Sequence, residues 1–250
     1  MILGVLILFR KLCQYLNPNE VKLNNINNKL LLFDFDGTLC DSASTIVRLM
    51  KKTCENLNLE ILDDKTIRNN IGYGVMKSAL IYTDNNLKLA ERFTEEYFML
   101  SKNEYMQEKN LEEDNLFLGA KKCIKQFFEN RYKLGIVTNK SRAGLDTLLN
   151  FHDIYKYFAI TMSANDCSVK PSPDMVNQSL DKLNINRDDC LLIGDTSTDA
   201  NCAKNAGIKF IGVKWGYNSE DVLKSNGAIK IIDNFDNLFD YIVKNFPNKN

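Results

Sequence analysis

Histidine is nearly absent from this chain: there is one, His152, in 250 residues. A lone imidazole disfavours the paired chemistry of histidine phosphatases and of His-rich zinc hydrolases. His152 itself lies near an expected helix end, where a structural or surface role suffices. The seven cysteines are odd in number and scattered, with no C-x-x-C pair. They read as reduced, mostly buried thiols of a cytoplasmic protein, with Cys54 and Cys202 at apolar helical positions. Neither sign of charge is in excess, since Lys+Arg 32 balance Asp+Glu 32, so no general attraction to nucleic acid is expected. No G-x-x-x-x-G-K-[ST] stretch occurs, which excludes a P-loop nucleotide site. Long apolar runs are missing too. Met1 to Phe9 is apolar but meets Arg10-Lys11, well short of the about 20 residues a spanning helix needs. Its positive charges follow the apolar run instead of preceding it, so a secretory signal is disfavoured and no stable membrane association is expected. Residues 1–28 read as an N-terminal extension whose Asn-rich part, Asn17 to Asn28, connects to the first core strand.

What is present is a set of apolar strands that end in polar residues. The most informative is Leu30-Leu31-Leu32-Phe33 followed by Asp34-Phe35-Asp36-Gly37-Thr38-Leu39. Side chains alternate along a strand, so Asp34 and Asp36 share one side while Phe35 points to the other. Two adjacent carboxylates repel and lose hydration, and a hard cation such as Mg²⁺ is the usual compensation. Gly37 permits a sharp turn and a close backbone approach to a ligand. An Asx-type turn after a strand accounts for Asp-Gly equally well when this segment is taken alone.

Three more segments follow. Leu134-Gly135-Ile136-Val137 ends in Thr138-Asn139-Lys140-Ser141, where a hydroxyl and an amide can donate hydrogen bonds to an oxyanion without adding charge. Ser141 alone would serve as a helix N-cap. In Lys170-Pro171-Ser172-Pro173-Asp174, Ser172 and Pro173 suit an N-cap and first helical position, with Lys170 just ahead of them. In Leu191-Leu192-Ile193-Gly194-Asp195-Thr196-Ser197-Thr198-Asp199, Asp199 follows Asp195 by one turn, so both face one pocket or simply favour the helix dipole.

From Lys29 onward strand and helix patterns alternate. Strands are predicted at Leu30–Phe33, Leu134–Val137, Phe158–Thr161, Leu191–Ile193, Phe210–Val213 and Ile229–Ile231, with helical spacing between them, for example Ala200, Ala203 and Ala206 ending at Gly207. Such alternation implies a parallel sheet with helices on both faces, whose ligands bind at the carboxyl ends of the strands. Between Asp41 and about Asn115 the alternation stops. Ile46, Leu49, Met50, Cys54 and Leu57 keep helical spacing, as do Leu87, Ala90, Phe93, Tyr97 and Leu100. This predicts a helical insert. Within it Gly72-Tyr73-Gly74-Val75-Met76-Lys77 is a loop entering a helix. It is either a tight interhelical turn or a place where backbone N–H groups and Lys77 meet the far end of an anionic ligand.

Taken in order, the four segments resemble the haloacid dehalogenase superfamily of phosphohydrolases, from about Lys29 to the end. Within it, Thr138-Asn139-Lys140, Lys170-Pro171-x-Pro173-Asp174 and Trp215-Gly216-Tyr217-Asn218 look like phosphoglycolate phosphatases. The resemblance implies an α/β fold: a Rossmann-like parallel-sheet core (29–40 and 116–250) sandwiched by helices, with residues 41–115 as a mobile helical cap. It implies Asp34 as nucleophile through an aspartyl-phosphate and Asp36 as the acid and base. Such a switch needs a pKa nearer neutrality than a free aspartate has, which burial beside other acids favours. Lys170 would offset charge, and Gly37, Thr138 and the backbone at Asn139 would hold phosphoryl oxygens. Mg²⁺ would be bound by Asp34, Asp36 through its backbone carbonyl, and Asp195, with Asp199 acting through water. Gly72, Gly74 and Lys77 of the cap would select a small phosphorylated metabolite, 2-phosphoglycolate first, in a monomer or homodimer. Nucleotide or pyrophosphate hydrolysis is the alternative within the superfamily. A phosphomutase of the β-phosphoglucomutase kind usually differs at the position of Thr38, and a dehalogenase needs no acid at Asp36. A phosphonatase would need a cap lysine as Schiff-base nucleophile, for which only Lys77 qualifies, and a non-enzymatic scaffold would not keep every acid.

Overall fold

The computed structural model describes residues 29–248; the extension expected over 1–28 lies outside the described residues. Strand β1 (Leu30–Phe33) is buried along its whole length, as a strand covered on both faces must be. It lies between β4 (Lys133–Val137) and β6 (Cys190–Gly194), parallel to both, with Leu30 opposite Lys133 on one side and Cys190 on the other. The sheet is completed by β5 (Ile160–Met162) beyond β4, and by β7 (Lys209–Val213) and β8 (Lys230–Ile232) beyond β6. The chain therefore steps outward from β1 in one direction, returns, and steps outward in the other. Such a reversal opens a crevice at the carboxyl ends of the central strands.

Strand alternation sorts the core into two layers. Leu31, Phe33, Phe35, Ile136 and Ile193 pack on one face, and Leu30, Leu32, Val137 and Leu192 on the other. The expected strand Phe158–Thr161 begins later, at Ile160, because Tyr155–Tyr157 winds into a 3₁₀ turn and Phe158 turns into the core. Helices α5 (Ala120–Glu129), α6 (Arg142–Phe151), α7 (Asp174–Leu183), α8 (Ser197–Ala206) and α9 (Glu220–Ser225) connect the strands, and α10 (Phe235–Asn245) follows the last one. Ser141 caps α6 by accepting from the Gly144 amide, and Gly207 ends α8 at φ +68. Helix α7 starts one residue later than predicted, with Pro173 at the cap.

The insert is helical as predicted, with α1 (Ala43–Asn56), α2 (Asp64–Asn69), α3 (Val75–Tyr82) and α4 (Leu87–Met106) around their own apolar cluster of Ile46, Met50, Ile67, Ala90 and Phe93. Of the α4 positions expected inside, Leu87 is exposed. Two short strands, β2 (Cys40–Asp41) and β3 (Asn115–Leu116), pair antiparallel where the chain leaves the core and returns. The two crossings thus lie side by side.

Candidate active site

The polar tips of β1, β4 and β6 converge. Asp34 emerges from β1 almost wholly buried, and its Oδ1 accepts from the Phe35 amide at 2.7 Å and meets Lys170 Nζ at 2.7 Å. Lys170 Nζ also reaches Asp199 Oδ1 at 2.6 Å, itself 2 % exposed. One ammonium thus bridges two buried acids, and Asp34 Oδ2 has no hydrogen-bond partner among the described residues. Asp195, at the end of β6, accepts from the Thr38 hydroxyl (2.8 Å) and the Tyr217 amide (2.8 Å). Asp199 closes a capping box with Thr196 at the start of α8.

The charges do not balance. Oxygens of Asp34, Asp195 and Asp199 lie within 4.8 Å of one another, all buried, against one buried ammonium. Burial, then Asp199, pushes the Asp34 carboxyl up to about 7, with Lys170 opposing. Burial beside Asp199 and Asp34 raises Asp195 well above the carboxylate range. Burial would lower Lys170, but Asp199 and Asp34 outweigh it and raise it. Three hard oxygen donors with surplus negative charge fit a divalent cation.

Gly37 makes the approach possible. Its φ is +81, and a Cβ there would lie 2.4 Å from Asp195 Oδ2 and 2.5 Å from the Tyr217 ring. Trp215 Nε1 donates to the Thr38 carbonyl at 3.0 Å and holds the turn from the other side.

Asp36 lines the same cavity as Asp34, and its carboxylate is held by two donors. Its Oδ1 accepts from Ser42 Oγ (2.6 Å) and from Lys140 Nζ (3.0 Å). The Asn139 side chain clamps the Lys170 backbone. It accepts from Lys170 N (2.8 Å) and donates to Lys170 O (3.1 Å) and Gly72 O (3.3 Å). Sequence reasoning missed Ser42, Lys140 and this clamp. The signal for Lys140 was present, because a residue two past Thr138 returns to the same side of an extended segment.

Between core and insert lies a cavity. Asp34, Asp36, Thr138, Asn139, Lys140 and Lys170 line its floor, and Gly72, Gly74 and Val75 face it from the insert. Lys77 does not line it. That side chain is exposed and lies over the Tyr73 ring at 4.3 Å. Val75 and Ser78, three residues apart on one side of α3, line the cavity, and Lys77 falls on another side of the same turn, so the expected charge partner is not delivered there.

Comparisons with known proteins point to one family. The model of the haloacid dehalogenase-like hydrolase family matches residues 31–213. A phosphoglycolate phosphatase from Aquifex aeolicus is 30% identical over 214 residues, covering 82% of this chain and 97% of that protein. A protein named probable phosphatase IndB from Dickeya dadantii is 29% identical, covering 82% and 90%. Among solved structures, a haloacid dehalogenase-like family hydrolase from Streptococcus pneumoniae superposes with a TM-score of 0.74 at 22% identity, covering 86% of this chain and 99% of that one, a likeness of fold. Among the described residues no helix is long and apolar enough to cross a membrane.

Proposed function

Because the chain belongs to the haloacid dehalogenase-like hydrolase family, we propose that it is a Mg²⁺-dependent phosphatase of small phosphate monoesters that works through an aspartyl-phosphate on Asp34. The observation that carries this is the free Oδ2 of a buried Asp34 whose Oδ1 is tied to Lys170 and the Phe35 amide. A carboxylate so oriented presents one oxygen to phosphorus. Asp34 Oδ2 forms a bond to phosphorus as the bond to the leaving oxygen breaks, and Asp36, protonated at Oδ2, gives that oxygen its proton. Water then attacks phosphorus, Asp36 takes a proton from it, and the bond to Asp34 breaks. An alcohol and inorganic phosphate leave, and Asp36 ends protonated as it began. Thr138 donates to a phosphoryl oxygen, and Lys170 offsets the charge gathered between nucleophile and phosphate. Asp34, Asp195 and the Asp36 carbonyl would hold Mg²⁺, with Asp199 supporting them. When bound, the ion would supply further charge neutralisation for the phosphoryl group.

Residues 41–115 act as a cap over this site, with the β2–β3 pair at the hinge. The leaving group we propose is glycolate, from 2-phosphoglycolate. The printed names of relatives such as the Aquifex aeolicus protein support it. So does the N-terminus of α3, whose cap residue Gly74 faces the cavity, a place suited to an anionic group. A panel of esters assayed with purified protein and Mg²⁺ tests the reading. We expect 2-phosphoglycolate to lead in kcat/KM by about tenfold or more over neutral alkyl phosphates. A nucleoside monophosphate or pyrophosphate in first place would remove the substrate assignment and leave the phosphatase assignment standing.

A further inference from the structure

We infer that Lys140 is the positioning residue for the acid of this reaction, holding the Asp36 carboxylate so that Oδ2 alone faces the leaving oxygen. The inference rests on the proposed role of Asp36 as that acid. Asp36 sits in the turn after β1, where its short side chain has several staggered settings open to it. Two donors remove that freedom, since Ser42 Oγ at 2.6 Å and Lys140 Nζ at 3.0 Å both bind Oδ1. Lys140 lines the cavity, but its ammonium is committed. Its side chain is 7% exposed, and among the described residues Asp36 is the only carboxylate within ion-pair distance of it.

The fold builds a seat for this lysine. Its ammonium lies 5.0 Å from the centre of the Tyr105 ring, and the Tyr105 hydroxyl donates to Asp114 Oδ2 at 2.7 Å. Asp114 comes just before β3, and Ser42 just after β2, so the seat spans both crossings between core and insert. Gly144 on α6 leaves the space for it, because a Cβ there would lie 2.8 Å from the Tyr105 ring and 3.1 Å from Lys140 Cε. A buried ammonium is retained where its partner matters, and here its partner is the group that must deliver a proton.

A leaving alkoxide needs that proton, whereas 4-nitrophenolate departs without one. The first turnover therefore separates a positioning role from a merely structural one. In rapid-quench experiments on the Mg²⁺-loaded enzyme, Lys140→Met should slow first-turnover cleavage of 2-phosphoglycolate by about tenfold or more. Release of 4-nitrophenolate from 4-nitrophenyl phosphate should change by less than about threefold in the same protein. Lys140→Arg should restore most of the loss, and Lys140→Gln gives the same contrast if the methionine variant does not fold. In the Asp36→Asn background, Lys140→Met should add nothing. Equal losses on both esters, or a loss that adds fully to that of Asp36→Asn, would overturn the inference. If Asp36→Asn itself shows no contrast between the esters, the reading of Asp36 as the acid falls first, and this inference with it.

Discussion

Asp34 is a carboxyl that the fold makes expensive to ionise and then surrounds with the means to do so. Burial and Asp199 lift it from 3.8 to about 7. With the folded value above the unfolded one, the native state holds a proton that the unfolded chain has lost between those two pH values. The stability of the metal-free protein therefore falls as pH rises through that window. Asp34→Asn removes the titrating group and keeps its shape. In chelator, its melting temperature should gain on wild type as pH climbs from about 4 to about 7, and a pH-independent difference would refute a titrating Asp34 as the cause. The same variant should have lost turnover by at least about a thousandfold with its circular dichroism unchanged. Lys77 offers the opposite case. Exposed and stacked on Tyr73, it should tolerate Lys77→Ala with kcat/KM for 2-phosphoglycolate within about twofold of wild type.

At the scale of elements, the site depends on turns more than on strands. The β1 tip must pass the β6 tip within contact distance, and Gly37 is where it does so. Gly37→Ala would place a methyl group against Asp195 and the Tyr217 ring in a backbone region that L-residues avoid. We expect about 1–3 kcal/mol of lost stability. A loss of about a hundredfold or more in kcat should accompany it, from a displacement near 1 Å. Urea melts and steady-state kinetics measure both, and near-wild-type turnover would show that Asp195 can give way. The Asn139 clamp is a second such device, since it ties the Lys170 loop to the β4 tip and to Gly72 of the insert in one amide.

At the scale of the molecule, one parallel sheet gathers carboxylates from β1 and β6 against a lysine from the loop before α7, and the insert covers them. Exhaustive chelation should silence the enzyme and Mg²⁺ should restore it. Ca²⁺ should inhibit, because its larger and more pliable coordination sphere displaces the reacting groups. Undiminished activity in chelator would mean that Lys170 alone offsets the three acids.

The sequence by itself determined the sheet, the insert and the acids. Each strand is a short apolar run with a polar end, and period two and period 3.6 are local properties that need no knowledge of neighbours. Asp34 and Asp195 stand at strand ends where the alternation alone predicts a site, whereas Lys170 is picked out only by the family resemblance. The identity of the second lysine was decided only by tertiary structure. Lys77 and Lys140 are equally plausible as letters, but the turn of α3 sends one to solvent, while β4 and Tyr105 bury the other against Asp36. The surroundings of Asp36 were settled in the same way. Its neighbours Ser42 and Lys140 come from segments 6 and 104 residues along the chain, and their donors act only once packing brings them within hydrogen-bond reach.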